Sequence, residues 1–157
     1  KHKKNLPFLP ESIGVITSPT GAVIMDIIDR IHARYPTNIK LHPVSVQGIN
    51  ASKEIMAGLD YFEKKTVDVV IIARGGGGVE DFMPFNEEHL VRKVFSYKIP
   101  IVSAIGHETD FTLLDFVADI RAATPTAAGE LIVPELINLK EKLKFIVKNI
   151  EQNIQYF

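Results

Sequence analysis

Three short apolar runs, each closed by a small, polar or charged loop and each followed by helical periodicity, constrain this chain more than any other feature. Residues 13–17 lead into Ser18-Pro19-Thr20-Gly21, after which Val23, Ile24, Ile27, Ile28 and Ile31 recur at helical spacing. Thr20 is the predicted N-cap of that helix. Residues 41–46 read as a second strand, in which Pro43 cannot donate to a ladder and so belongs at an edge. Residues 51–63 are helical, with Ile55, Met56, Leu59 and Phe62 on one side. Residues 67–73 are apolar on both faces, as a central parallel strand should be. A helix over 86–97, a strand over 99–105 and a helix from about residue 110 follow. The alternation predicts an α/β fold, an open, mostly parallel sheet with helices on both faces. Pro43 at an edge favours the flavodoxin-like strand order 2-1-3-4.

At 157 residues, 46% of them hydrophobic, such a domain can bury a full core. Cysteine is absent, which removes disulfides, thiolate metal sites and cysteine nucleophiles. Eighteen basic against nineteen acidic residues leave a net charge of −1, so a nucleic acid would need a local patch or a focused cleft rather than bulk positive charge. No apolar run approaches the roughly 18 residues of a membrane span. No signal-peptide pattern precedes Pro7 and Pro10, and a cytoplasmic location without membrane association is expected.

Both ends read as cut from a longer chain. Residues 1–10 are basic and Pro-punctuated, like a linker from a preceding domain, and 11–134 form the α/β domain. From 135 to 157 a heptad seam begins, with Leu139, Leu143, Ile146, Ile150 and Phe157 apolar and Asn153 in one slot. Lys140, Lys142, Lys144 and Lys148 face away from it. The pattern fits the start of a long coiled-coil helix; the alternative is one terminal amphipathic helix packed on its own domain.

In doubly wound sheets ligands bind beyond the carboxyl ends of the strands, so the loops at 18–21, 74–78 and 106–110 should share one rim. The run Arg74-Gly75-Gly76-Gly77-Gly78 can cradle an anion on backbone amides, with Arg74 offering a bidentate fork to phosphate; it can also be a tight turn. It is neither a P-loop nor a dinucleotide fingerprint. Glu80 and Asp81 would repel an anion unless they point away or hold a metal, and first-turn helix charges are the simpler reading. His107 with Asp110 three residues on makes an imidazole–carboxylate pair geometrically easy, while Asp110 could instead cap the following helix. Asp26 lies on the polar side of the first helix, where spacing alone assigns it an ion pair with Arg30.

Ile16-Thr-Ser-Pro-Thr-Gly-Ala22, Ala73-Arg-Gly-Gly-Gly-Gly78 with Glu80-Asp81-Phe82 and Phe85-Asn86, and Ser103-Ala-Ile-Gly-His-Glu-Thr-Asp110 closely resemble the large subunits of exodeoxyribonuclease VII. So does Asp115-Phe-Val-Ala-Asp-Ile-Arg-Ala122, followed by Thr124-Pro125 and Ala127-Ala128. The resemblance runs over nearly the whole chain. Gly78, Pro84 and Gly129 depart from the pattern without touching a polar motif residue.

The resemblance implies a bacterial nuclease that degrades single-stranded DNA from both ends into oligonucleotides. It further implies an OB-fold domain before this segment and several copies of a small subunit on a coiled-coil helix after it. It maps the catalytic positions onto Asp26, Arg74, His107 and Asp110, against the spacing argument for Asp26. Substrate contacts are expected from Ser18, Thr20, Gly75, Gly76, Gly77, Arg121 and Thr124. Arg74 and the glycine amides suit the charge on non-bridging oxygens, and His107 oriented by Asp110 suits acid or base work. No metal is required; if one binds, Mg held by Asp26 and Asp110 is expected. Two alternatives are a non-catalytic module binding a phosphorylated small ligand, and a metal phosphohydrolase on Asp26, Asp110 and Glu80.

Overall fold

A computed structural model of the chain describes residues 3–106 and 109–155. Five strands, β1 (Ser12–Thr17), β2 (Asn38–Pro43), β3 (Val69–Arg74), β4 (Ile101–Ile105) and β5 (Ile120–Arg121), form one parallel sheet. Their order is β2-β1-β3-β4-β5, the predicted arrangement extended by one short strand. Around the sheet lie α1 (Ala22–Arg34), α2 (Ala51–Glu63), α3 (Glu88–Ser96), α4 (Leu113–Val117) and α5 (Pro125–Ile132). A 3-10 helix spans Val79–Asn86, and α6 (Leu136–Gln155) ends the described chain.

Every residue of β1, β3 and β4 is buried, because both faces are covered. The pleat divides them. Val69, Ile71 and Ala73 join Ile24, Ile27 and Ile31 of α1 and Ala128 and Ile132 of α5 in one core layer. Val70 and Ile72 join Ile55, Leu59 and Phe62 of α2 and Leu90 and Val94 of α3 in the other. Arg30 reaches Glu130 across the α1–α5 interface, where a Cβ on Gly129 would lie 3.1 Å from that of Arg30.

The expected second strand sits three residues too late. Strand pairing ends at Thr17 opposite Pro43, because β1 stops there; Val44 N still donates to the Thr17 carbonyl at 3.0 Å, and Ser45 and Val46 go on to line the cleft at the end of the strand. Gly21, at φ 124°, holds the cap position expected for Thr20, and no side chain caps α1. The helix expected over 86–97 is α3 preceded by the 3-10 turn, which Pro84 keeps from continuing as an α-helix. The helix expected from residue 110 starts at Leu113, after Thr112 in the cap position. α5 and β5 were not anticipated; α5 opens with Thr124 accepting from Ala127 N at 3.0 Å and Pro125 at its first position.

Leu143, Ile146, Val147, Ile150 and Ile154 of α6 are all exposed, so this apolar face is not laid on the domain's own core. Lys140, Lys144 and Lys148 line a shallow groove with Leu143 and Val147, flanking the apolar stripe rather than opposing it as expected. No described helix is long and apolar enough to cross a membrane.

Candidate active site

The chain leaves β1 for the edge strand β2 and returns to β3 on the other side of β1, which opens a crevice at their carboxyl ends. A cleft of about 500 Å³ lies there, lined by Thr17, Ser18, Thr20 and Val23, by Ser45, Val46 and Gln47 after β2, and by Arg74, Gly75 and Gly76 after β3.

Arg74 is 3% exposed. Its Nη2 donates to Asp81 Oδ2 at 2.7 Å and its guanidinium lies 4.3 Å from the centre of the Phe82 ring. Asp81 Oδ2 also accepts from Gly78 N at 3.1 Å, which closes the loop on itself. A Cβ on Gly77 would fall on the Arg74 guanidinium, so this position needs glycine for space. Glu80 and Asp81 are indeed first-turn residues, but Asp81 neither points away nor waits for a metal: it occupies one prong of the fork expected for phosphate.

The other prong is unpaired. Arg74 Nη1 is buried and has no hydrogen-bond partner among the described residues, and the same holds for Thr17 Oγ1. Leaving such groups unpaired costs roughly 1–3 kcal/mol each, and a phosphate oxygen is an acceptor either could use. The uncapped N-terminus of α1 opens beside them, with Thr20 and Val23 on the cleft wall. Ser18 Oγ and Thr20 Oγ1 lie 3.5 Å apart on the same wall.

On the β4 side, Gly106 takes φ 71° and donates to the Arg74 carbonyl at 3.3 Å. A Cβ there would lie 2.9 Å from Asp110 Oδ2 and 3.0 Å from the Phe82 ring. Phe82 and Gly106 thus bring Arg74 and Asp110 into one neighbourhood. His107 and Glu108 lie outside the described residues, and with them the expected His107–Asp110 pair. Asp110 is not the helix cap: Thr112 N and Oγ1 each donate to Asp115 Oδ2 at 2.8 Å, which fixes the start of α4.

Asp26 is exposed on α1, about one turn from its first residue, and is not part of the cleft wall. The ion pair expected with Arg30 does not form, since Arg30 is taken by Glu130. Arg121 Nη2 donates to the Asp110 carbonyl at 3.0 Å, and its guanidinium lies 4.0 Å from the centre of the Phe111 ring. It therefore shapes the Asp110 loop, away from the cleft wall where Gly75 and Gly76 lie. Thr124 spends its hydroxyl on the α5 cap.

Among the described residues no three His, Asp or Glu side chains cluster closely enough to hold a metal ion. Asp26, Asp110 and Glu80 are all described, so the phosphohydrolase trio is not assembled.

Thr17, Ser45, Gln47 and Asp81 were missed. Ser45 was hidden by placing β2 too late, and Thr17 looked like the last residue of an apolar strand. Asp81 carried a usable signal, an acid seven residues beyond an arginine across a glycine turn, which a buried guanidinium would require.

A family model described as exonuclease VII, large subunit, matches residues 1–157. The chain belongs to that family. An exodeoxyribonuclease 7 large subunit of Anaplasma phagocytophilum is 58% identical over 135 residues, covering 85% of this chain and 34% of its own length. Proteins of the same name from Clostridium botulinum and Rickettsia bellii are 49% and 52% identical, covering 99% of this chain and 39% and 37% of their own. The chain spans between about a third and two-fifths of the length of these relatives. Within the exonuclease VII family segment, Asp115 and Asp119 of the diagnostic stretch are scaffold. Asp115 accepts from Ser103 Oγ at 2.6 Å, and Asp119 accepts from Ile101 N at 2.9 Å and pairs with Lys4 at 2.9 Å.

Proposed function

We propose that this rim is the hydrolytic centre of an exonuclease that cuts phosphodiester bonds of single-stranded DNA from both ends, in the cytoplasm. The observation that carries the reading is Arg74: buried, anchored on one nitrogen by Asp81, and unpaired on the other at the wall of the switch-point cleft. A guanidinium held this way meets the charge on a non-bridging oxygen without reorganising. The Gly75 and Gly76 amides and the α1 N-terminus add donors to the same oxygen cage. His107 exchanges the proton of the attacking water or leaving oxygen, Asp110 orients it, and Asp26 positions water from the α1 side. Any Mg would neutralise phosphate charge between Asp26 and Asp110, and no step above depends on it.

The exposed apolar face of α6 is where copies of a small subunit would bind, and a domain before residue 1 would supply most of the grip on DNA. A domain of net charge −1 supports that division of labour.

The test is a gel assay of 5′- and 3′-labelled single-stranded DNA with the complete two-subunit enzyme, with and without chelator, against H107A. Short oligonucleotides from both ends, in both conditions, and a silent H107A are expected. No degradation by the wild-type enzyme would overturn the nuclease reading, and full activity of folded H107A would remove the histidine from it. Total loss in chelator alone would move the water-activating role to a metal.

A further inference from the structure

Phe111 immediately follows Asp110, and its ring is 58% exposed. Phe116 of α4, 66% exposed, stacks beside it with centroids 6.1 Å apart and planes at 27°. Arg121 lies over the Phe111 ring at 4.0 Å while its Nη2 holds the Asp110 carbonyl, so ring and carboxylate loop are fixed by one guanidinium. Two adjacent phenyl rings left in water beside a polar site are costly unless something flat covers them. The apolar groove between α3 and α4, lined by Phe95, Leu113 and Val117, contains neither ring, so the pair does not belong to that surface.

We propose that Phe111 and Phe116 form a stacking platform for the bases next to the scissile phosphate. The proposal rests on the nuclease reading of the rim and specifies how that site takes a single strand. A base has an open π-face only when it is unpaired, and stacking on aromatic rings is tolerant of sequence, which suits an enzyme that must accept every base. The platform extends a stack that already contains a cation and two rings, and Arg121 gives its far end the positive charge that a strand attracts. With the phosphate held at Arg74, the neighbouring base is placed over Phe111. A paired duplex offers no such face, so the platform also selects single strands.

The experiment compares oligo-dT with a strand of the same length built on abasic residues, using the complete two-subunit enzyme. Equilibrium binding is read alongside hydrolysis. Wild type should bind the abasic strand roughly tenfold or more weakly. F111A and F116A should raise KM on oligo-dT about tenfold, more than they lower kcat, and should narrow the ratio of KM between the two strands, the remainder belonging to the preceding domain. F116W should restore it. Variants that discriminate as well as wild type, or that lose affinity equally for both strands, would overturn the platform. So would variants whose only defect is assembly with the small subunit, which would make the rings a protein interface. If wild type hydrolyses neither strand, the nuclease reading falls while the binding ratio still decides the platform.

Discussion

On the β1–β3 side of the rim, Arg74 and Thr17 line one cleft and each keeps a buried polar atom with no partner among the described residues. On the β4–β5 side, the buried carboxylates Asp115 and Asp119 are satisfied several times over, and what is left outside is aromatic. One side is built with donors to spare, as a phosphate site needs; the other is braced internally and presents flat apolar faces. On the proposed reading, the same rim separates recognition of the backbone from recognition of the bases. Phe82 joins the two halves, under Arg74 on one side and close to Gly106 on the other.

The largest effect is expected at Gly77. Gly77→Ala places a methyl on the Arg74 guanidinium and should lower kcat on single-stranded DNA about a hundredfold, since a displacement near 1 Å at a charge-stabilising group costs that much. Its melting temperature should fall too, by no more than in Asp81→Ala, because the methyl disturbs the same Arg74–Asp81 pair. Next is Asp81→Ala, which leaves a buried guanidinium without its counter-ion. Urea denaturation should register a loss of about 2 kcal/mol, below the value for a fully buried pair because the Asp81 side chain is one-third exposed.

Thr17→Val separates site from scaffold. It removes a buried hydroxyl with no partner, so folding stability should rise by up to about 1 kcal/mol while KM for DNA increases. A loss of stability would mean that the hydroxyl serves the fold. The smallest effect belongs away from the rim. Arg30 holds the Glu130 carboxyl below its usual range, by hydrogen bond first and by charge second. The pair therefore stabilises α1 against α5 above the ordinary carboxylate pKa and stops doing so as pH falls through the lowered folded value. The difference in melting temperature between wild type and Glu130→Gln should shrink from pH 7 to pH 3. It should be small and salt-sensitive, since both side chains are about 40% exposed.

Much of this architecture was legible because β1, β3 and β4 are apolar on both faces, and Pro43 alone places β2 at the edge. That fixed the switch point, and with it the loops that meet there. Segment ends were not legible. They depend on where a neighbouring strand stops, as at Thr17 and Pro43, or on a long-range partner, as when Asp115 rather than Asp110 sets the start of α4. The donors at Arg74 could be read from the glycine run; that Asp81 occupies one of them was signalled only by an acid seven residues on, across a turn, which helical spacing does not weigh. Arg121 and Thr124 sit in a diagnostic motif, yet their contacts are with the loop at Asp110 and the first turn of α5.

The central claim is that Arg74 carries transition-state charge at the rim. Single-turnover hydrolysis of end-labelled single-stranded DNA by the complete enzyme tests it directly, comparing wild type with Arg74→Lys and Arg74→Ala at matched DNA occupancy. The account predicts a loss of about 10²–10³-fold for Arg74→Ala, only partial recovery in Arg74→Lys because a point charge cannot keep both Asp81 and a phosphate oxygen, and DNA binding largely retained through the rest of the enzyme. A folded Arg74→Ala enzyme that hydrolyses DNA within threefold of wild type would contradict it.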